Sequence, residues 1–182
     1  MNYDNLIKNW HIKASEEDYF SKFVFEYLAF IAFLKKKKFT SYIFDRDAIQ
    51  LLKQDENMKA SYLEKFQHNP ELKRAWEKIK EELDNVPLGN TSRNSEEIEE
   101  IKWWNCSCLR LQDQTKKDKE KDKGIIHSLD DWENMVEFWY AIRNNLFHAS
   151  KNPEDTRDKL VVQNGYITLR ELVETFLNNE QR

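Results

Sequence analysis

Apolar residues recur three and four positions apart over long stretches of this chain, which is the spacing of one face of an α-helix. The longest series consists of Phe20, Phe23, Val24, Tyr27, Leu28, Ile31 and Leu34. Only three glycines and three prolines occur among the 182 residues, and the alternation of Val, Ile and Thr that would predict strands is almost absent. The pattern predicts an all-α fold, a bundle of four or more helices that forms one domain over residues 1–182.

Capping residues and helix breakers divide the sequence into predicted helices. Ser15 and the acidic residues after it, through Asp18, are typical of a helix start. Asn69-Pro70 is a stop signal that also places a proline at a first helical position. We expect helices over about 15–37, 45–69 and 70–83, a short one from Ser95 that carries Ile101, Trp103 and Trp104, one from 128 to the break at 152–155, and a last one to about 178 with a bend or close approach at Gly165.

Charge and hydropathy limit the classes of function. The formal net charge is −4 and the pI is about 5.7, which is not typical of a protein that coats nucleic acid without sequence preference. A nuclease needs only local positive potential, so a small basic pocket is compatible with this charge. The most apolar segment, 23–34, is too short to span a bilayer, and the N-terminus lacks the pattern of a signal peptide. We expect a cytoplasmic protein that does not associate with membranes.

Cysteine usage favours a reducing compartment and argues against a metal centre. Cys106 and Cys108 are too few to staple a secreted fold. Together with His127 they form a partial set of metal ligands, but no fourth ligand follows at a zinc spacing. We therefore expect no metal and no cofactor.

Two lysine-rich segments each have a structural and a functional interpretation. The run 35–38 is four consecutive lysines at a predicted helix end, where cations complement the negative end of the helix dipole; a phosphate-facing role is the alternative. Residues 113–124 are low in complexity and mixed in charge, which predicts a mobile surface loop. Electrostatic guidance of RNA is the alternative for this loop.

Residues 143–148 read Arg-Asn-Asn-Leu-Phe-His near the end of a predicted helix. They supply a phosphate-binding cation, a polar group and a proton-transfer group within about one and a half helical turns. Those are the side chains that metal-free RNA cleavage needs. Arg and His occur at this spacing by chance in many proteins, so the value of the motif depends on the helical fold around it.

The helical geometry of this segment bears on how its side chains meet. At about 100° per residue, Arg143 falls about 40° from the centre of the core-facing series, whereas Asn144 and His148 share another face. A charge within the core-facing series is expensive unless it is paired or lies at an interface. A two-fold dimer or a distorted helix end would bring Arg and His side chains into one cleft. The core-facing residues are Trp132, Met135, Val136, Trp139, Ile142 and Leu146.

The segment resembles the signature of the HEPN superfamily, an Arg followed after four to six residues by a His, with a polar residue such as Asn after the Arg. The flanking stretches 139–142 and 151–158, and the aromatic-rich stretch 18–30, also resemble HEPN members. The resemblance implies a helical domain that dimerises through the motif helix and cleaves RNA without metal in a composite active site. Attack by the ribose 2′-hydroxyl would leave 2′,3′-cyclic phosphate and 5′-hydroxyl ends on RNA and would spare DNA.

In this hypothesis three residues have catalytic roles. Arg143 binds the scissile phosphate and stabilises its developing charge, His148 is the general base or acid, and Asn144 positions the phosphate or His148. The structural alternatives are an Arg143 head group that reaches water over a packed stem and a His148 that caps the helix end. Arg157 and Asp158 are expected to cap the last helix or to brace the motif helix through an ion pair.

The functional hypothesis is a metal-independent endoribonuclease, which the resemblance associates with bacterial defence or a toxin–antitoxin system. Its partners would be RNA, a second copy of the chain, and an antitoxin or a nucleotidyltransferase. The first alternative is a catalytically inactive HEPN-like module that binds RNA, a nucleotide or a partner protein. The second is an unrelated helical scaffold with a chance motif.

Overall fold

The computed structural model describes residues 3–15, 18–40, 44–89, 124–148 and 151–179. Within these ranges it contains seven α-helices and no β-strand, so the all-α prediction is confirmed. None of these helices is both long enough and apolar enough to cross a membrane. The helices are α1 (Tyr3–Ala14), α2 (Tyr19–Phe33), α3 (Asp45–Lys53), α4 (Glu56–Glu64), α5 (Pro70–Asn85), α6 (Trp132–Phe147) and α7 (Thr156–Asn179).

The start of the chain differs from the prediction. Sequence analysis did not identify α1, and Ser15, expected to cap the next helix, closes α1 by donating from its hydroxyl to the Ile12 carbonyl at 2.7 Å. The cap of α2 is Asp18, whose carboxylate accepts the Phe20 and Ser21 amides at 2.9 and 3.3 Å. A carboxylate directly before the first turn satisfies these amides and suits the positive helix end.

The lysine run at the end of α2 ties this helix to its neighbours. Residues Leu34–Lys38 form a π-helical turn, and each of three lysines pairs with a carboxylate from another part of the bundle. These pairs are Lys35 with Asp45 at 2.8 Å, Lys38 with Asp55 at 2.7 Å, and Lys37 with Asp4. The geometry favours the structural interpretation over a phosphate-facing role.

The prediction of a single helix over 45–69 is wrong, because α3 ends at Lys53 and a second helix begins at Glu56. The Asp55 carboxylate accepts the Met58 amide at 2.9 Å and so starts α4. A 3-10 turn, Lys65–Gln67, extends α4. Asn69 then caps α5 by accepting the Leu72 amide at 3.0 Å, and Pro70 is its first residue, as predicted.

Several predictions lie outside the described residues: the short helix from Ser95 with Ile101, Trp103 and Trp104, the cysteine pair, and loop residues 113–123. The loop predicted after α5 is described as far as Gly89 and is not helical. It is anchored where the Leu88 amide donates to the Gly124 carbonyl at 2.9 Å. Gly124 has φ of 71°, a conformation that glycine adopts without strain.

An aromatic cluster with its own hydrogen bonds forms the centre of the bundle. The Tyr62 hydroxyl donates to the Thr168 carbonyl at 2.7 Å and accepts from the Trp76 indole at 3.0 Å. The Trp139 indole donates to the Thr168 hydroxyl at 3.0 Å. Trp132 packs edge-on against Trp139 with ring centroids 6.2 Å apart. Because the polar atoms of these rings are satisfied, the cluster joins α4, α5, α6 and α7 without a desolvation penalty.

Gly165 marks a close approach of three helices, which is one of the two predictions made for it. A Cβ atom at this position in α7 would lie 2.6 Å from Ile142 Cδ1 of α6 and 3.3 Å from Phe23 Cε2 of α2. The absence of a side chain therefore lets α7 pack directly against both helices. This contact lies one residue before Arg143 in α6, so it fixes the helix that carries the motif.

Candidate functional site

The N-terminal half of α6 anchors the motif helix in the core. Trp132, Met135, Val136, Trp139 and Ile142 are all buried, as the sequence predicted, and Leu146 is partly buried against the same core. Before the first turn, the Asp131 carboxylate accepts hydrogen bonds from the amide and the ring of His127, at 2.9 and 2.8 Å. The motif therefore begins on a helix whose position is determined by packing.

Arg143 reaches the surface from within the core-facing side of α6. Its side chain is 31% exposed, and its guanidinium carbon lies 4.8 Å from the Phe147 ring centroid and 6.0 Å from that of Tyr27. One N–H donates to Asn144 Oδ1 at 3.0 Å. The Asp45 carboxylate is 4.0 Å away, beyond hydrogen-bond range. The hydrogen bond to Asn144 engages one of the five N–H donors that the guanidinium has.

The ring of Tyr27 forms the inner wall beside Arg143. Tyr27 is buried, and its hydroxyl makes no hydrogen bond within the part of the chain that the structure describes. Burial raises the pKa of this phenol well above its usual range, because the phenolate would be poorly solvated. Tyr27 therefore presents a neutral ring to the Arg143 cation.

The two asparagines after Arg143 are both buried. Asn144 accepts from Arg143 through its side chain, and its carbonyl accepts the His148 amide at 3.0 Å. The Asn145 amide group donates to the Gly89 carbonyl at 2.7 Å. Sequence analysis assigned no role to Asn145. Its position three residues after Ile142, on the core-facing side, was the available signal.

His148 ends the helix and exposes its ring. It is the C-cap residue, with backbone bonds from its amide to the preceding turn, and its side chain is exposed. Asn144 and His148 were expected on one face, but Asn144 is buried and His148 is not. No hydrogen bond or ion pair between described residues joins the side chains of Arg143 and His148. A single copy of the chain thus presents the two groups near one helix end without bringing them into contact.

A network of ion pairs, unforeseen from the sequence, links α3 to α6 beside the motif. Glu137, whose side chain is 2% exposed, pairs with Arg46 at 2.6 Å and with the buried Lys53 at 2.5 Å. Asp45 is similarly shared between Lys35 at 2.8 Å and the more distant Arg143. Each carboxylate therefore serves two cations, which leaves local positive charge on this side of a chain with a net charge of −4.

Arg157 and Asp158 have structural contacts, as expected, but with other partners. Arg157 donates to Glu82 at 2.8 Å and to the Val86 carbonyl, so it braces the end of α5 and not the motif helix. Asp158 accepts from the Lys151 ammonium and, at 2.8 Å, from the Asn152 amide. It holds the segment that follows the motif.

Metal ligands do not gather among the described residues. Within 3–15, 18–40, 44–89, 124–148 and 151–179, no group of three or more His, Cys, Asp and Glu side chains is arranged to hold a metal ion. His127 is engaged with Asp131 and lies near Asn134. Cys106 and Cys108 lie outside the described ranges.

No protein-family model, curated protein or solved structure matches the chain. Function is therefore argued from the motif and from the geometry of its residues.

Proposed function

We propose that this chain is a metal-independent endoribonuclease of the HEPN type, active as a homodimer. The observation that carries the proposal is the combination at the end of α6. A partly exposed Arg143 lies five positions before an exposed histidine ring. A helix with a purely structural role has no need for a cation within its core-facing side.

The proposed reaction is an internal transesterification. The His148 ring of one copy removes the proton from the ribose 2′-hydroxyl. The 2′-oxygen then bonds to phosphorus, and the bond between phosphorus and the 5′-oxygen breaks. A protonated His148 from the second copy donates a proton to that departing oxygen. Arg143 binds the phosphate oxygens through charge-assisted hydrogen bonds that strengthen as charge develops.

Asn144 has a positioning role in this proposal. It is buried, and its side-chain oxygen accepts a hydrogen bond from Arg143. It therefore orients the guanidinium toward the surface and does not itself reach substrate. This differs from a direct contact with the phosphate or with His148.

A dimer supports the chemistry because one copy keeps Arg143 and His148 apart. Two copies related by a two-fold axis through the ends of α6 would place two arginines and two histidines around one cleft. One histidine then acts as base and the other as acid. The resemblance to HEPN domains supports the same arrangement.

The experiment that tests the proposal is cleavage of end-labelled RNA in EDTA. The parent protein is expected to release products with 2′,3′-cyclic phosphate ends and to leave DNA intact. Arg143→Ala and His148→Ala are each expected to reduce the rate by about a hundredfold or more. Arg74→Ala and His68→Ala are matched controls, because both residues are exposed and lie outside the motif, and they should cut at the parent rate.

Two results would overturn the proposal. One is a purified protein that cuts no RNA, and the other is a pair of motif variants that cut as fast as the parent. In the first case the chain would be a catalytically inactive module that binds RNA, a nucleotide or a partner protein. Expression gives an early indication, since a toxic nuclease should express poorly in bacteria unless Arg143 or His148 is replaced.

The composite site has its own test. Arg143→Ala and His148→Ala proteins are mixed, unfolded and refolded together so that mixed dimers form. Partial recovery of cleavage is expected, because neither variant homodimer has both an Arg143 and a His148, whereas each mixed dimer has one of each. The recovered rate should stay below that of the parent, because the mixed dimer lacks the second histidine and water must take over the role of base or acid. A parent protein that sediments as a monomer while cutting RNA would contradict the dimer.

We further propose a setting in bacterial defence or a toxin–antitoxin system, with an antitoxin or nucleotidyltransferase as partner. The resemblance to HEPN domains is its support. Co-expression with neighbouring genes, followed by the cleavage assay, tests whether such a partner suppresses the activity.

A further inference from the structure

The surface around Arg143 alternates aromatic rings with arginines. Tyr140, Arg143 and Phe147 follow one another at spacings of three and four along α6, so they share one face. The N-terminal end of α3 adds Phe44 and Arg46. We call these five residues the aromatic–arginine face.

Two of its rings are unusually exposed. Phe44 is 70% and Phe147 is 58% exposed, the two highest values among the large apolar side chains of the described residues. The Phe147 ring centroid lies 4.8 Å from the Arg143 guanidinium carbon. Phe44 is the residue before Asp45, whose carboxylate is 4.0 Å from Arg143. Rings left in water beside a cation suggest a surface that is covered when a ligand binds.

Each of the two arginines of this face lies near a ring and is itself partly exposed. The Arg143 guanidinium carbon lies 4.8 Å from the Phe147 ring centroid, and the Phe147 side chain is 58% exposed. Arg46 lies over the Tyr140 ring at 5.1 Å, and its side chain is 43% exposed. A planar base can therefore stack on Phe147 while phosphates reach both arginines.

The charge of the face fits a polyanion. Arg46 and Arg143 are both partly exposed, whereas Glu137 is buried and is shared with the buried Lys53. Asp45 is shared with Lys35. Each of the two carboxylates thus also pairs with a lysine. The head groups of Arg46 and Arg143 are both partly exposed, so their positive charge faces solvent. Interleaved rings and arginines are how sequence-tolerant proteins bind single strands.

We propose that the aromatic–arginine face binds single-stranded RNA, with Phe147 stacking on a base next to the phosphate that Arg143 holds. The ring then selects unpaired nucleotides, because a base inside a duplex is stacked on its neighbours and cannot reach an exposed side chain. Selective cleavage of unpaired RNA would rest on the proposed ribonuclease function, whereas the binding of single-stranded RNA does not depend on it.

The experiment measures binding separately from cleavage. Fluorescein-labelled 2′-O-methyl oligonucleotides of twelve residues serve as probes, since they have no 2′-hydroxyl to attack phosphorus. Anisotropy is measured at low salt with the single strand, its duplex, and a strand of the same length with abasic spacers. The parent protein is expected to bind the single strand at least several-fold more tightly than the other two.

Phe147→Leu is the decisive variant because it removes the ring and keeps an apolar side chain. It should weaken single-strand binding roughly tenfold, the loss typical of one stacked base, and leave binding of the abasic strand unchanged. Tyr19→Leu is the matched control, since Tyr19 is a partly exposed aromatic residue at the start of α2. This control should bind every probe as the parent does.

Each outcome separates the two proposals. Equal binding of the single and abasic strands, or no effect of Phe147→Leu, overturns the stacking inference even if RNA is cut. If Phe147→Leu instead converts a dimer to a monomer in sedimentation and weakens binding of all probes equally, the face is an interface between copies, which also overturns it. Single-strand binding that depends on Phe147, in a protein that cuts nothing, supports the inference and refutes the ribonuclease.

Discussion

The two halves of α6 differ in how their polar groups are held. In the first half, the indoles of Trp132 and Trp139 each donate to a protein oxygen at 3.0 Å, and the buried Glu137 pairs with two cations. In the second half, Arg143 is 4.0 Å from its carboxylate and His148 is exposed. One helix therefore combines a segment whose indoles and carboxylate are paired in the core with a segment in which Arg143 and His148 reach solvent beside the buried Asn144 and Asn145.

The difference follows from what packs against each half. Trp139 contacts rings from α2, α4 and α5, namely Phe30, Tyr62 and Trp76. Ile142 approaches α7 closely at Gly165, which also lies near Phe23 of α2. Among the residues that the structure describes, the rings and charges near Arg143 are those of Tyr27, Phe147 and Asp45. Stability should therefore depend on the first half, and the proposed chemistry on the second.

The largest expected effect tests the first half. Glu137→Ala would leave Lys53 and Arg46 without their carboxylate, and uncompensated buried charge typically costs about 3–5 kcal/mol of the free energy of unfolding. Urea denaturation measures this loss. The double variant Glu137→Leu with Lys53→Met is the control, and it should lose less than the single variant because no buried charge remains. A loss below about 1 kcal/mol for Glu137→Ala would show that the ion pairs are dispensable.

A smaller effect is expected where the two halves meet. Gly165→Ala places a methyl group 2.6 Å from Ile142 Cδ1, and overpacking of this kind costs about 1–3 kcal/mol, offset in part by the higher helix propensity of Ala. Ile142→Val removes the clashing methyl. Chemical denaturation of the two single variants and the double variant should give a double variant that loses less than the sum of the singles. Additive losses would mean that Gly165 is required for another reason.

Local patterns and long-range contacts account for what the sequence could and could not predict. The spacing in α6 predicted six core-facing residues that are buried or partly buried, but it did not predict that other sides of this helix are buried as well, for example at Phe138 and Ala141. The break at Asp55 was missed although the buried positions shift there: Ile49 and Met58, nine positions apart, would lie about 180° apart on one continuous helix. The apolar spacing also did not predict α1, because only Ile7 and Ala14 of this helix are buried. The pairing of Glu137 with Arg46 joins residues 91 positions apart, and no local pattern reports such a contact.

The candidate site divides in the same way. The motif identified Arg143, Asn144 and His148 from local order alone, and whether they are catalytic stays a prediction. The neighbours of Arg143, which are Tyr27 and Asp45, come from α2 and α3. Their contribution depends on the tertiary fold. Phe147 lies within the motif, but the sequence did not indicate that its ring would be exposed beside the Arg143 guanidinium.

A second buried carboxylate, Glu26, can be compared with Glu137, because its partner His11 is a titratable group. Glu26 is fully buried and accepts from or donates to His11 Nδ1 at 2.7 Å. Burial raises the pKa of Glu26 above its ordinary 4.5, and the hydrogen bond with Glu26 raises the pKa of His11 above 6.5. Arg170 and Glu174 face the pair with opposing charges. Glu137 pairs with Arg46 and Lys53, whereas Glu26 pairs with a histidine, so the interaction of Glu26 with its partner depends on pH.

Both shifts make the folded state bind protons more tightly than the unfolded state. The contribution of Glu26 to stability is therefore fully present below about pH 4.5 and is lost as pH rises through its raised pKa. That of His11 is fully present below about pH 6.5 and is lost as pH rises through its raised pKa. The slope cannot exceed about 1.4 kcal/mol per pH unit for each proton. Urea unfolding from pH 5 to 8 should show a shallower fall for Glu26→Gln than for the parent. His68→Gln serves as control, and equal slopes for Glu26→Gln and the parent would contradict the assignment.

The smallest change in the free energy of unfolding is expected for substitutions in the second half of α6. Its size determines whether a loss of cleavage in these variants can be attributed to chemistry or to a damaged fold. His148→Ala should change the free energy of unfolding by less than about 0.5 kcal/mol, since the ring is exposed. Arg143→Ala should cost no more than about 1 kcal/mol, because its ion pair is long and partly in water. Urea unfolding of the proteins used in the cleavage assay measures both. If Arg143→Ala instead costs more than about 2 kcal/mol, its guanidinium is a structural group between Tyr27 and Phe147. A loss of cleavage in that variant would then report damage to the helix end and not a missing contact with phosphate.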